Sequence, residues 1–381
     1  MHTSIEPVKA MEELWVTSQG PATIANLGPG FDVLGLALKN VDSTSYFGDT
    51  VNARRRPDWN DIRLTRIDGC QGLPMDDSNV AVAAAKKLFE LTGTSMGVEM
   101  TLRKCRGIGT GTGGSAASAV AGLLAANALL DEPLAKDDPR MLQAALYAEA
   151  VAIRKPQGHA DNVWPALLGG LVYIKDAQAL DCRRLDIEDD LIFVVITPNI
   201  VVETAKAREA LLGASYDISE LVRLSSKEIL HYLHKDDPDD YQSAFREDIT
   251  KALKEGGNEQ VVRTYLTGSY NLIKGLVGKR VDCLREALFS DLIVTPIRSM
   301  FIPGYTYAHA KAMDAGAIGF SISGSGPSVF AVARSKREAS VIGEEVKDVF
   351  ASAGIDADFI IAQADNDGGS VVTTELKELA Q

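Results

Sequence analysis

The glycine-rich stretch at residues 107–118 (GIGTGTGGSAAS) constrains this chain more than any other segment. Alternating apolar and polar residues over 97–103 predict a strand before it, and the alanine-rich run from Ser115 to Asn127 predicts a helix directly after it. Glycine lets backbone N–H groups turn toward one point, and a helix N-terminus adds free N–H groups and a positive dipole end. The order strand, glycine loop, helix therefore predicts a phosphate-binding site. A flexible turn is the alternative, but a turn needs only one or two glycines.

The glycine loop does not by itself identify the nucleotide. The phosphate-loop pattern ending in Gly-Lys-Ser/Thr is excluded, because no lysine lies between Lys104 and the predicted helix. The spacing of Gly109, Gly111 and Gly114 fits the dinucleotide pattern GxGxxG, which is weak evidence in so glycine-rich a stretch. That pattern also needs a second strand ending in an acid about 20 residues later, whereas Asp131 closes the predicted helix.

Composition and charge restrict the class of protein. The 381 residues are enough for two domains, and 46% hydrophobic with 24% charged residues is typical of a soluble globular protein. A net charge of −13 argues against nucleic acid or an acidic membrane surface as the main partner. The sequence shows no apolar run of membrane-spanning length and no signal-peptide pattern. Four scattered cysteines without metal-binding spacing predict reduced thiols in a cytoplasmic protein.

A polar turn is predicted near the N-terminus, within residues 21–32 (PATIANLGPGFD). Gly28 and Gly30 force a bend between Asn26 and Asp32, and an apolar strand resumes directly afterwards. Asparagine and aspartate are common turn formers, so these two residues alone do not indicate a binding site.

A second polar group falls within residues 158–165 (GHADNVWP), which are expected to interrupt regular structure. His159, Asp161 and Asn162 lie within four residues of one another between apolar segments. A zinc site is not favoured, because one histidine without a nearby cysteine cannot supply the ligands. A structural turn and a polar substrate pocket both remain open.

The C-terminal half begins with the clearest buried strand, residues 191–198, and we predict a domain boundary just before it. Residues 225–260 are highly charged and predict solvated helices and a loop. A second glycine loop at 323–328 lies between two predicted strands, where it is either a hairpin turn or part of a site.

Four separated stretches together resemble the GHMP small-molecule kinases. They are residues 21–35, 107–118, 159–170 and 322–327, in the order that the family shows them. The first and third are most similar to the members of the family that phosphorylate homoserine. The resemblance covers residues 14–335, and four matches in order are far more specific than one.

The resemblance implies an α+β fold of two domains with the active site between them. The N-terminal, ribosomal-protein-S5-like α/β domain would span 12–190, and the C-terminal, ferredoxin-like domain would span 191–381 with the charged segment as an insertion. The implied reaction transfers the ATP γ-phosphate to the hydroxyl of L-homoserine, with Mg²⁺ as cofactor, and gives O-phospho-L-homoserine. A homodimer is the family-based expectation.

The resemblance also implies roles for individual residues. Ser115 and Glu149 would hold Mg²⁺. The homoserine carboxylate would bind to the guanidinium groups of Arg208 and Arg298. The full substrate set would be Asn26, Asp32, His159, Asp161, Asn162, Thr204, Arg208 and Arg298, of which Asn26, Asp32, Asn162 and Arg208 would be catalytic. The ATP phosphates would be bound by Gly107, Gly109, Thr110, Gly111, Thr112, Gly113, Gly114, Ser115, Ala116 and Ser118.

The sequence departs from the family at two places that matter for catalysis. Some GHMP kinases carry an aspartate as general base where this chain has Asn162, and asparagine cannot take up a proton at neutral pH. Catalysis would then depend on positioning and charge neutralisation. The family loop reads PxGSGLGSSAAS, so Gly107, Thr112 and Gly114 replace a proline, a leucine and a serine. The serine lost at Gly114 predicts a weaker nucleotide site.

Three alternatives remain open from the sequence. One keeps the chemistry but changes the acceptor to another small amino acid or alcohol. Another is a non-catalytic nucleotide- or metabolite-binding relative, which Gly114 would help to explain but the retained acceptor residues argue against. The last is a dinucleotide-dependent oxidoreductase, which would bind NAD(P) in place of ATP.

Overall fold

The computed structural model describes residues 12–42, 45–154, 156, 158–187, 190–202 and 264–378. The sequence-predicted substrate residues Thr204 and Arg208 and the charged segment at 225–260 lie outside these residues. The described strands are β1 (Glu12–Ala25), β2 (Leu34–Asn40), β3 (Gly48–Arg55), β4 (Ile62–Asp68), β5 (Val98–Arg103), β6 (Leu171–Asp176), β7 (Asp181–Leu185), β8 (Ile192–Pro198), β9 (Gly319–Ile322), β10 (Val329–Ala333), β11 (Ala357–Ala364) and β12 (Ser370–Glu378).

The described helices pack on these strands, and a single 3₁₀ turn (Ser299–Phe301) follows one of them. They are α1 (Val80–Thr92), α2 (Gly114–Ala128), α3 (Pro139–Ile153), α4 (Ala160–Leu168), α5 (264–277), α6 (Val281–Phe289), α7 (Val294–Arg298), α8 (Tyr305–Asp314) and α9 (Lys336–Ser352). In the part of the chain that the structure describes, no helix is long and apolar enough to cross a bilayer.

The described strands join into one mixed sheet, in the order β4-β5-β3-β1-β2-β11-β8-β10-β9. β12 pairs with β1, and β6 pairs with β2 and β7. β2 from the N-terminal half pairs with β11 from the C-terminal half, with Lys39 opposite Gln363. The α+β class expected from the sequence is confirmed, and the boundary at 190/191 stays a prediction.

Burial explains why these segments form strands. β8 (IFVVITP) is buried along its whole length, as expected for a central strand covered on both faces. β5 alternates instead, with Val98, Met100 and Leu102 buried. Their side chains join the core formed with α1, α2 and α3, so this face of the sheet is covered by helices.

Helix α2 gives the glycine loop a rigid base. Its residues 116–127 are all buried, since alanine and glycine let neighbouring backbones approach closely. A Cβ added at Gly122 would lie 2.5 Å from the carbonyl oxygen of Ala81 in α1, which shows how closely the two helices pack.

The expectation that residues 158–165 interrupt regular structure is wrong, because α4 covers most of this stretch. The helix buries Val163, Trp164 and Leu167, and this packing outweighs Pro165 in its interior. Proline leaves the carbonyl four residues earlier without its helical partner. Gly35 of β2 packs against that carbonyl so closely that a Cβ there would lie 1.8 Å from the Asp161 oxygen.

Candidate active site

The glycine loop requires glycine at three alternate positions. Gly109, Gly111 and Gly113 have φ values of 71°, 81° and 65°, a region that residues with a side chain rarely adopt. Helix α2 begins at the next residue, Gly114. The loop is therefore followed directly by the N-terminus of a helix, an arrangement that favours the binding of anions.

Two distant stretches hold the loop in place. The N–H of Thr23 donates to the Thr112 carbonyl at 3.1 Å, and the N–H of Ser328 donates to the Thr110 carbonyl at 3.1 Å. The hydroxyl of Ser323 donates to the Gly111 carbonyl at 2.7 Å. Three of the four stretches that carry the family resemblance therefore meet at this loop.

A buried ion pair between Lys104 and Asp49 contacts the start of helix α2, where the glycine loop ends. Lys104 Nζ donates to an Asp49 carboxylate oxygen, to the Gly114 carbonyl at 2.7 Å and to Ser118 Oγ at 2.9 Å. Ser118 Oγ in turn donates to Asp49 at 2.6 Å, so this hydroxyl holds the first turn of α2. A Cβ at Gly114 would lie 3.4 Å from Lys104 Nζ, which is ordinary van der Waals contact. Lys104 directly follows β5 and precedes the glycine loop, and this place in the chain is the only sequence signal of its supporting role.

Ser115 and Glu149 form the pair expected to hold a metal. Ser115 Oγ donates to Glu149 Oε2 at 2.8 Å, and only 4% of Glu149 is exposed. Burial raises the pKa of Glu149 to about 7, although the Ser115 hydrogen bond and the charge of Lys104 oppose this. A buried carboxylate beside a hydroxyl is a hard oxygen donor set that suits Mg²⁺.

This pair cannot enclose a metal ion alone. Among the residues that the structure describes, no group of three or more His, Cys, Asp or Glu side chains could hold a metal ion. Mg²⁺ is usually held by one or two protein ligands, with substrate phosphates and water completing its shell. Ser115 and Glu149 fit that role beside a phosphate loop.

The predicted polar turn is held in an uncommon conformation. Asn26 and Asp32 have φ values of 68° and 59°, which place both residues in the left-handed region. The Asn26 carboxamide is held at both ends: Nδ2 donates to the Gly324 carbonyl at 3.1 Å, and Oδ1 accepts the Asp32 N–H at 3.0 Å. Such backbone strain is often found where side chains must face a ligand.

Arg298 approaches the same turn from the C-terminal half. It is the last residue of α7, only 3% exposed, and its guanidinium donates to the Gly324 carbonyl. The guanidinium also lies 5.0 Å from the centre of the Phe31 ring. The hydroxyl of Tyr265 in α5 accepts the Phe31 N–H at 3.2 Å, a contact that no sequence pattern predicts.

Helix α4 supplies the second polar group. His159 is the residue before the helix, and Asp161 is 3% exposed in its first turn. Asn162 Nδ2 donates to Asp161 Oδ1 at 3.4 Å, and Asn162 Oδ1 accepts a hydrogen bond from Thr23 Oγ1 at 3.2 Å. The polar side chains therefore lie at the N-terminal end of a helix whose remaining side chains pack in the core.

These elements surround one cavity of about 590 Å³, which we call the site cavity. Thr112 and Ala116, which are buried in the loop and the helix, are not among the residues that line it. The sequence-predicted residues that line it are Asn26, Asp32, Gly107, Gly109, Thr110, Gly111, Gly113, Gly114, Ser115, Ser118, Glu149, His159, Asp161, Asn162 and Arg298.

The apolar part of the lining of the site cavity is not predicted by any sequence pattern. Leu73, Pro74, Leu102, Ile108 and Val201 contribute apolar surface to this lining. Such a surface suits a flat, weakly polar group such as a nucleotide base. These residues come from four separate places in the chain and form no motif, so only the fold brings them together.

Similarity to known proteins agrees with this geometry. The family description "GHMP kinases N terminal domain" matches residues 79–170, and "GHMP kinases C terminal" matches residues 272–352. The homoserine kinase of Pyrococcus furiosus is 33% identical over 343 residues, which are 90% of this chain and 96% of that protein. This chain belongs to the GHMP kinase family.

Other GHMP kinases show the same likeness. The homoserine kinase of Xanthomonas campestris is 34% identical and covers 88% of each chain. The crystal structure of homoserine kinase from Cytophaga hutchinsonii is 30% identical, with a TM-score of 0.75 over 97% of this chain and 100% of that one. Lactococcus lactis galactokinase shares the fold at 16% identity, with a TM-score of 0.62 over 94% of this chain and 95% of that one. As a GHMP kinase, this protein is an ATP-dependent small-molecule kinase.

Proposed function

We propose that this GHMP kinase transfers the γ-phosphoryl group of ATP to the side-chain hydroxyl of L-homoserine, a step toward threonine. The products are ADP and O-phospho-L-homoserine. One observation carries the proposal. This chain is 33% identical to a homoserine kinase over 90% of its length, and the described side chains that the resemblance assigns to the acceptor line one cavity. The described members of that set are Asn26, Asp32, His159, Asp161, Asn162 and Arg298.

The phosphate side of the proposal rests on the loop and its helix. The backbone N–H groups at the start of α2 would bind the ATP phosphates. Ser115 and Glu149 would hold Mg²⁺, which neutralises charge on the transferring group when it is bound. The pair formed by Lys104 and Asp49 keeps the first turn of α2 in place beneath them.

The acceptor side would bind both charged ends of an amino acid. Arg298 offers a buried guanidinium for the carboxylate, with Arg208 as its proposed second partner outside the described residues. Asp32 and Asp161 offer carboxylates for the ammonium group. The hydroxyl would then face Asn162, which lies beside Gly113 of the glycine loop.

We propose that no side chain removes the acceptor proton before transfer. Asn162 has no basic atom at neutral pH, and a loose phosphoryl-transfer transition state needs little prior deprotonation. Positioning of the hydroxyl and neutralisation of phosphate charge then supply the rate. The Asn162→Asp variant tests this: a faster rate that depends on a newly introduced acidic pKa would count against the proposal.

The proposed function is tested by ADP release from MgATP with homoserine, serine, threonine, mevalonate or no acceptor. We expect strong release with homoserine and only background release with the others. Release with a different acceptor would overturn the substrate but keep the kinase chemistry. Binding of ATP without release in any reaction would favour a non-catalytic relative.

We also propose, from the sequence, that the protein is a cytoplasmic homodimer. Light scattering of the purified protein checks the oligomeric state, and fractionation of source cells checks the location. A monomer at working concentration or a membrane-bound fraction would contradict these proposals.

A further inference from the structure

Thr23 of β1 connects the two halves of the site cavity. Its N–H donates to the Thr112 carbonyl in the glycine loop at 3.1 Å, and its hydroxyl donates to Asn162 Oδ1 in α4 at 3.2 Å. The side chain is fully buried. One residue that the sequence analysis did not single out therefore contacts both the phosphate loop and the acceptor helix.

The Thr23 hydroxyl is confined on its loop side by Gly113. A Cβ added at Gly113 would lie 2.0 Å from Thr23 Oγ1 and 3.3 Å from Asn162 Oδ1. No side chain fits between the loop and these two groups, so the Gly113 backbone packs directly against the hydroxyl. Thr23, Gly113 and Asn162 meet at the point where the phosphate and acceptor sides of the site cavity join.

The hydrogen bonds of Asn162 require the Thr23 hydroxyl to be the donor. The NH₂ group of Asn162 faces Asp161 and donates to its Oδ1. The carboxamide oxygen therefore faces Thr23 and accepts a hydrogen bond from its hydroxyl, since this oxygen has no proton to donate. Without the hydroxyl, Asn162 Oδ1 loses the hydrogen bond that keeps it facing Thr23. The carboxamide could then turn over and exchange the places of its oxygen and its NH₂ group.

We propose that Thr23 is a positioning residue for phosphoryl transfer, which fixes the Asn162 carboxamide so that its NH₂ group faces the acceptor side of the site cavity. The link to catalysis rests on the proposed function, in which Asn162 faces the acceptor hydroxyl. A misplacement of about 1 Å at a reacting group can cost about 100-fold in rate. Thr23 thus acts through Asn162, not by touching the substrate.

Three variants separate the hydroxyl from the rest of the side chain. Thr23→Ala and Thr23→Ser differ from each other only by the hydroxyl, and neither adds an atom toward Gly113. Thr17→Ala is the matched control, because Thr17 lies on the same strand and its hydroxyl also donates to an asparagine oxygen, Asn52 Oδ1, at 2.8 Å. Neither Thr17 nor Asn52 lines the site cavity.

We expect Thr23→Ala to lower kcat about 30- to 100-fold, on the scale of lost positioning, with the KM for ATP changed less than about threefold. Thr23→Ser should stay within about threefold of the wild type, and Thr17→Ala should match it. In an Asn162→Ala background, Thr23→Ala should add less than about a twofold loss, because residues that act as one unit are not additive. A kcat near the wild-type value for Thr23→Ala, or fully multiplicative losses, would overturn the proposal.

A second measurement is independent of the acceptor. The carboxamide ¹H–¹⁵N signals of Asn162, assigned by their loss in Asn162→Ala, should shift in Thr23→Ala and stay in place in Thr23→Ser and Thr17→Ala. Unchanged signals in Thr23→Ala would reject the positioning role even if turnover falls. If the wild type fails to phosphorylate homoserine while these signals respond as expected, the proposed function fails and the role of Thr23 stands.

Discussion

Glu149 illustrates how the surroundings of one residue decide its chemistry. Its burial disfavours the charged form and raises its pKa to about 7, while Ser115 and Lys104 partly restore the charge. A cation bound beside it would remove most of this cost, since an opposite charge favours the ionised form. The sequence alone suggested Glu149 by resemblance, but its burial and its contact with Ser115 depend on how α2 and α3 pack.

Replacing Glu149 with glutamine should separate activity from stability. We expect Glu149→Gln to lower kcat with MgATP by about 100-fold or more, because one of two proposed metal ligands loses its charge. Its thermal unfolding temperature should not fall, since the amide is buried without the cost of burying a charge. Glu90→Gln, which changes an exposed glutamate paired with Lys87, is the control for both measurements. Normal activity in Glu149→Gln would remove Glu149 from the proposed metal site.

His309 predicts a pH dependence of stability away from the site. Its ring lies against Phe289, Phe320 and Tyr305, at centroid distances of 5.5, 5.6 and 6.5 Å. Burial lowers the pKa of His309 from 6.5 to about 4, so the unfolded chain takes up a proton more readily than the folded protein. The free energy of unfolding should therefore fall as the pH drops from about 6.5 toward 4.

The His309→Gln variant checks this pH dependence, because glutamine cannot titrate. Urea unfolding at pH 7.5 and pH 4.5 should show a smaller loss of stability in the variant than in the wild type. Equal losses in both proteins would show that other groups account for the acid sensitivity.

At the scale of elements, the sequence pattern predicts the strand and the helix on either side of the glycine loop, but it does not predict α4. The alternation over 97–103 predicted β5 to within one residue of its observed start at Val98. In α4, the polar residues and Pro165 outweighed the helical spacing of Ala160, Val163, Trp164 and Leu167, which are all buried on one side. The helical spacing is present in the sequence, but it is short and contains a proline, which is uncommon inside a helix.

Two glycines of the loop should respond differently to alanine. Gly111 has a φ of 81°, and a Cβ there would lie 2.7 and 2.8 Å from the carbonyl oxygens of Ser323 and Gly326. Gly107 has no atom within 4 Å of an added Cβ. We expect Gly111→Ala to raise the KM for ATP at least about tenfold, since strain of about 1–3 kcal/mol must be relieved by moving the loop.

Gly107→Ala is the matched control for this prediction, because it keeps the backbone N–H proposed to face the phosphates and its Cβ meets no other atom. It should change the KM for ATP less than about twofold. Equal effects of the two substitutions on ATP kinetics would contradict the assignment of the loop conformation.

At the scale of the whole molecule, the site depends on contacts that no local pattern shows. The Ser323 hydroxyl reaches the Gly111 carbonyl across 212 positions of sequence, and Thr23 reaches Asn162 across 139. The sequence placed the four stretches near one another only through a family resemblance. Their hydrogen bonds follow from the shared sheet, in which β2 and β11 join the two halves.

Removing one of these long-range contacts should weaken ATP binding. Ser323 is fully buried, and Ser323→Ala leaves the Gly111 carbonyl without its donor. We expect the free energy of unfolding to fall by about 1–3 kcal/mol and the KM for ATP to rise. Ser352→Ala, which removes an exposed hydroxyl bonded to the Asp348 carbonyl within α9, is the control. An unchanged KM for ATP in Ser323→Ala would show that the loop keeps its position without this contact.

The central claim is that the protein transfers the γ-phosphoryl group of ATP to the hydroxyl of L-homoserine in the site cavity. The most direct measurement is ³¹P NMR of a complete reaction with MgATP and L-homoserine, with mass spectrometry of the product. The account predicts one phosphomonoester signal on homoserine for each ADP formed. ADP accompanied only by inorganic phosphate, or no change in ATP, would contradict it.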